Sequence, residues 1–106
     1  LIDEIYAFKM QLKHGMEDEY RRRHDVIWPA ISAGLKAAGV RDYSIHLDPE
    51  TNTLFAVMWR RRDHTLDDFA RTKTMRKWWD HMADIMQTHP DNEPVTTALD
   101  CVFQLE

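Results

Sequence analysis

RDYSIHLDPETNTLFAVMW, residues 41–59, decides the fold. Its first seven residues set Tyr43, Ile45 and Leu47 on one face of a strand, because strand side chains alternate with a period of two. Asp48-Pro49-Glu50-Thr51-Asn52 has the composition of a turn. Thr53 to Trp59 then alternates again, Leu54, Ala56 and Met58 against Phe55, Val57 and Trp59. Two strands around a short turn make a hairpin. Both faces of its second strand are apolar, a pattern that predicts cover on both sides.

Upstream, Ile5 to Leu12 alternates as a strand, with Tyr6, Phe8, Met10 and Leu12 on one side. Gly15 ends it, and Met16 to Ile27 forms a helix that is charged nearly all round. Glu17 with Arg21, Asp18 with Arg22 and Glu19 with Arg23 are acid-to-base pairs at four-residue spacing, each worth about 0.2–0.5 kcal/mol on an exposed helix. Pro29 suits the first turn of a second helix and Gly39 its end, with Ile31, Leu35 and Ala38 as the apolar stripe.

Downstream of the hairpin, Thr65 to Phe69 reads as a helical turn, and Thr74 as the cap of a longer helix carrying Met75, Trp78, Trp79, Met82, Ile85 and Met86. His89-Pro90-Asp91-Asn92-Glu93-Pro94 is a loop, since proline cannot continue a helix. Leu99, Cys101, Phe103 and Leu105 alternate with polar residues as a last strand. The order β-α-α-β-β-α-α-β, two crossovers flanking a hairpin, specifies an α+β ferredoxin-like sandwich with a four-stranded antiparallel sheet and helices on one face. The other face, apolar at the third strand, predicts a homodimer of the α/β-barrel type, packed through the sheet.

Length and charge narrow the function classes. One domain over residues 1–106 can bury roughly two-thirds of its unfolded surface, enough for a core without disulfides or metal. A net charge of −4 with no basic tail argues against a nucleic-acid binder. No apolar run approaches the roughly 18 residues of a membrane span, so no membrane partner is expected. The opening LIDEIYAFKM lacks the basic-then-apolar pattern of a signal peptide, and the single Cys101 suits a reducing interior, so a cytoplasmic location is expected.

The charged helix has one uncharged stripe, Met16, Tyr20 and Ile27, completed by His24. A phenol and an imidazole four residues apart, both facing inward, form a candidate site, since imidazole titrates near neutrality and exchanges protons there. Trp78 and Trp79 differ by about 100° around their helix, so one is expected in the core with Met75 and Met82 while the other edges into a cleft. Tyr43, if its face is turned to the first helix, joins Tyr20 and His24. Arg60-Arg61-Arg62 reads as a solvated strand end rather than an anion site, and Cys101 as a small buried residue. The histidines show no ligand spacing, so no metal site is expected.

EDEYRRRHDVIWP, RDYSIHLD, KWWDHMADIM and HPDNEPV together resemble the L-rhamnose mutarotase family across nearly the full length. The resemblance implies interconversion of the α and β anomers of L-rhamnose, a dimeric ferredoxin-like fold, and no metal or organic cofactor. By motif, His24 would protonate the sugar, and Tyr20, Tyr43, Trp78 and Trp79 would line its site. The second proton-transfer group is open among Tyr20, Tyr43, Asp25 and a water. Two alternatives stand beside it: a dimeric α/β-barrel monooxygenase or haem-associated protein of similar size and strand order, since fold alone does not give function, and a non-catalytic sugar-binding or regulatory module.

Overall fold

The computed structural model describes residues 3–105, which run β1 (Asp3–Gln11), α1 (Glu17–Asp25), α2 (Pro29–Ala37), β2 (Val40–Asp48), β3 (Thr53–Arg61), α3 (Leu66–Phe69), α4 (Lys73–Met82) and β4 (Thr97–Ala98). A single 3₁₀ turn, Ala83–Ile85, follows α4. Leu1, Ile2 and Glu106 lie outside the described residues, and with them the first two positions of the opening stretch and the last of the expected 1–106 domain.

The strands form one antiparallel sheet in the order β2-β3-β1-β4, the ferredoxin-like arrangement. The β2–β3 hairpin closes on Asp48. Its carboxylate accepts from the Glu50 amide and the Thr51 hydroxyl at 3.0 Å each, and Asn52 adopts φ 58°. The helices lie on the face presenting Leu54, Ala56 and Met58, which are buried with Leu12, Ile31, Met82 and Ile85. Burying each large apolar side chain contributes about 1.5–3 kcal/mol. Pro29 opens α2, and Gly39, at φ 106°, follows its end as expected.

One irregularity decides where a key side chain points. Arg41 stands opposite Trp59 and Ser44 opposite Val57, so Asp42 and Tyr43 together face Met58. This is a β-bulge, with Asp42 at φ 51°. It lets Val40 and Tyr43, three residues apart, both turn toward the helices.

Several expectations are corrected. The last strand is not Leu99 to Leu105 but the two residues of β4, extended by the bond from the Leu99 amide to the Ala7 carbonyl at 2.9 Å. Beyond it Cys101, Phe103 and Leu105 are exposed, so Cys101 is not a buried residue. Alternation alone does not distinguish a paired strand from an extended tail. Thr72, not Thr74, caps α4, its hydroxyl accepting from the Met75 amide at 3.3 Å. Ile85 and Met86 lie past the end of that helix. Of the three pairs expected on α1, only Glu19–Arg23 appears among the described ion pairs, and Arg22 turns to Glu19 rather than Asp18. Within one chain the outer face of β3 is only partly covered, and Val57 is 37% exposed. Among the described residues no helix is long and apolar enough to cross a membrane.

Candidate active site

Between the helices and the inner face of the sheet lies a cavity of about 760 Å³, within the roughly 300–1,000 Å³ range of small-molecule sites. All five site residues expected from the sequence line it: Tyr20 and His24 from α1, Tyr43 from β2, Trp78 and Trp79 from α4.

The helix α1 delivers two of them as one unit. Tyr20 is buried, and the His24 ring stacks on it with centroids 4.2 Å apart. The His24 Nδ1–H donates to the Tyr20 backbone carbonyl at 3.0 Å. A carbonyl only accepts, so Nδ1 carries the hydrogen, and in the neutral ring Nε2 keeps its lone pair. Desolvation holds the imidazole below its ordinary pKa, against the opposing pull of the Tyr20 carbonyl and the Asp25 carboxylate. His24 is therefore neutral at pH 7.

The phenols are moved the other way. Burial pushes the Tyr43 hydroxyl up to about 12, and the nearby Tyr6 adds to the shift. Burial raises Tyr20 further still, with Tyr43 adding to it. Both remain protonated hydrogen-bond donors at any physiological pH. Neither supplies a phenolate base at neutral pH, which narrows the open choice of second proton-transfer group.

An edge contact at 5.5 Å places the Trp78 indole against His24, and Trp28 braces Trp78 from another side at 5.1 Å. Trp78 is the core member of the pair, buried with Met82, while Trp79 is half-buried on the adjoining side of α4 with the Arg76 guanidinium 5.2 Å from its ring. The division expected from helix geometry holds, but both indoles reach the cavity. Arg23 ties the two site helices together. Its side chain, 11% exposed, bonds Glu19 on α1 and, across the gap, the Asp84 carboxylate at 2.8 Å and the His81 carbonyl at 2.7 Å. The loop after α4 supplies Glu93 and Pro94 to the rim. It is folded by Asn92 at φ 70°, whose side chain donates to Asp80 at 3.0 Å.

Tyr6 and Arg60 also line the cavity, and the sequence pattern marks neither as a site residue; Tyr6 lies on the expected face of its strand. Arg60, expected at a solvated strand end, has a side chain only 17% exposed that lines the cavity. The strand continues to Arg61, so the alternation Leu54, Ala56, Met58 carries on to Arg60; that was the available signal. Arg61, half-exposed, does fit the solvated reading.

A family model described as L-rhamnose mutarotase matches residues 5–105. Two similar relatives are the L-rhamnose mutarotases of Mesorhizobium japonicum, 56% identical over 96% of this chain and 97% of that one, and of Jannaschia sp., 57% identical over 96% and 98%. Among solved structures, the crystal structure of L-rhamnose mutarotase from Formosa agariphila superposes with a TM-score of 0.90 at 48% identity, covering 97% of this chain and 99% of that one. Neither the monooxygenase nor the binding-module alternative finds support in these matches. The chain belongs to the L-rhamnose mutarotase family of isomerases, which interconvert the α and β anomers of L-rhamnose.

Proposed function

We propose that His24 is the proton donor to the ring oxygen of L-rhamnose, that Tyr20, Tyr43, Trp78 and Trp79 bind the sugar, and that the chain works as a cytoplasmic homodimer packed through its outer sheet face. The observation that carries the catalytic part is the His24 ring, fixed by its Nδ1 bond to the Tyr20 carbonyl and placed on a cavity shared with two phenols and two indoles.

The chemistry follows from a cyclic hemiacetal. Ring opening moves one proton from the anomeric hydroxyl to the ring oxygen while the bond from C1 to the ring oxygen breaks and C1=O forms. Nε2 of the neutral imidazole takes the hydroxyl proton, and the imidazolium so formed returns it to the ring oxygen. Proton count and charge balance over the step. The two oxygens share one carbon, so a single group can serve both. The protonated phenols donate hydrogen bonds to the oxygen at C1 as it becomes a carbonyl. Rotation about C1–C2 and the reverse step give the other anomer. The indoles offer flat apolar plates to the C–H faces of the ring.

Saturation-transfer NMR on L-rhamnose tests the assignment. His24→Gln is expected to slow anomer exchange by about 10²–10⁴-fold, the usual contribution of a positioned acid or base. Exchange as fast as in the wild type refutes it.

The dimer is supported by the apolar surface that one chain leaves bare. Val57 on the sheet is 37% exposed, and Val102, Phe103 and Leu105 in the C-terminal segment are 95, 78 and 84% exposed. A second copy, related by a two-fold axis, supplies the matching apolar surface.

A further inference from the structure

The inner face of β3 is apolar from Leu54 to Met58 and then carries a guanidinium. Arg60 stands opposite Glu4 on β1 and Val40 on β2, with Tyr6 the next inward residue along β1. Its Nη2 donates to the Glu4 carboxylate at 3.3 Å, and its guanidinium carbon sits 4.0 Å from the centre of the Tyr6 ring. Carboxylate and ring hold the group in one orientation. Its Nε, shut off from solvent, has no hydrogen-bond acceptor among the described residues. The same side chain lines the cavity that holds His24.

The reaction states what such a group is for. While the ring is open, C1 must turn about the C1–C2 bond. The ring oxygen must stay free to receive and release its proton. Any strong polar clamp therefore has to grip hydroxyls that do not turn with C1, those on C2, C3 and C4, and of these the vicinal pair on C3 and C4 stands clear of the reacting C1. A guanidinium presents parallel N–H donors at the spacing of two neighbouring oxygens. The sheet row from Tyr6 through Met58 to the Asp42–Tyr43 bulge joins this end of the cavity to the tyrosines beside His24.

We propose that Arg60, held by Glu4 and Tyr6, binds the C3–C4 diol of L-rhamnose and anchors the open-chain sugar while C1 rotates. This rests on the reading of the cavity as the sugar site. Arg60 is a binding and specificity residue; proton transfer stays with His24.

The test compares L-rhamnose with its 3-deoxy and 4-deoxy analogues by saturation-transfer NMR, on the wild type and on Arg60→Met. In the wild type each deoxy sugar is expected to show a KM about tenfold or more above that of L-rhamnose, the loss of a hydrogen bond to a charged group. Arg60→Met is expected to raise KM for L-rhamnose by a similar factor, with kcat changed less than about twofold, as for an interaction made equally in ground and transition states. In that variant the three sugars should become nearly equivalent. A wild type indifferent to both deoxy sugars overturns the proposal whether or not the variant folds. An unchanged KM in folded Arg60→Met, or a loss confined to kcat, overturns it too. Failure of this inference alone shows as slow exchange in His24→Gln beside an unaffected Arg60→Met. Fast exchange in His24→Gln overturns the cavity reading and the diol clamp with it.

Discussion

On β3, Leu54, Ala56 and Met58 point toward the helices and are 2, 0 and 4% exposed; Phe55, Val57 and Trp59, of similar or greater apolar bulk, point the other way and are half-buried or exposed. Both sets were written into one strand by the same alternation. Only the inner set is covered by its own chain, and it is there that a cavity is fenced by aromatic rings, an imidazole and a guanidinium. An apolar face therefore specifies that cover is needed but not which chain provides it. The inner side holds a cavity because the packing of the side chains around it is incomplete. The outer side leaves apolar surface such as Val57 exposed within one chain.

The contrast is broken most directly by a pair of substitutions. Leu54→Ala is expected to destabilise the fold by about 2–5 kcal/mol, the range for emptying a buried leucine site, without changing the mass in sedimentation. Val57→Lys is expected to halve that mass, because an ammonium would be buried between the two copies without a partner. Thermal unfolding and sedimentation velocity, run on both variants, read the two effects separately. Should Val57→Lys keep the wild-type mass, the dimer does not form through this face and the outer side needs another explanation.

Much of this division was open to reading in residues 41–59, and the reasons are local. The hairpin turn is fixed by Asp48 and Asn52, whose side chains and backbone have specific turn roles, and the strand faces follow from period-two alternation. Four of the five candidate site residues could be named because a phenol, an imidazole and two indoles stand at helical spacings that leave few places to point; Tyr43 was conditional on which way its strand face turned, and the motifs around all five resemble a family. What stayed hidden depends on contacts distant in sequence. The bulge that turns Tyr43 inward is a register shift between β2 and β3, invisible in either strand alone. Arg60 is charged, and charge at a strand end ordinarily means solvent; the alternation of β3 carries on to it, but the pairing with Glu4 and the Tyr6 ring, distant in sequence, shows what holds a guanidinium there. The segment after Ala98 alternates like a strand, yet alternation records two-sidedness and says nothing of whether a neighbouring strand is present.

A smaller effect sharpens the picture of the inner side as tightly built around its cavity. Gly34 on α2 faces Phe69 on α3, and a Cβ there would lie 2.3 Å from two atoms of the ring. An unobstructed Gly→Ala change inside a helix stabilises by about 1 kcal/mol. Here the ring has to move, and overpacking of this kind costs about 1–3 kcal/mol, so Gly34→Ala is expected to lower the melting temperature. Phe69 also lines the cavity, so its displacement should raise KM for L-rhamnose in the same variant. A melting temperature above the wild type's would mean that the helices slide freely over the sheet, and that the cavity is looser than its walls imply.

The smallest expected effect is in the pH profile, and it separates the sides because the groups lining the cavity are shifted by burial. If neutral His24 begins the cycle, kcat/KM for anomer exchange should rise with pH as the imidazolium loses its proton. The rise should be about tenfold per pH unit on the acid side and level off below the ordinary histidine value of about 6.5, since desolvation dominates its shift. Above that point the profile should stay flat through neutrality, because Tyr43 titrates only near 12 and Tyr20 higher. Replacing Val57 on the outer face by alanine should leave the midpoint where it is. Asp25→Asn should move it down, since this carboxylate is one of the groups that favour the charged ring. A profile that falls rather than rises through this range would mean that the imidazolium is the starting form, with the ring oxygen protonated before the anomeric hydroxyl is released. The base would then have to be another group on the cavity wall, and Glu93 on the rim is the carboxylate to substitute next.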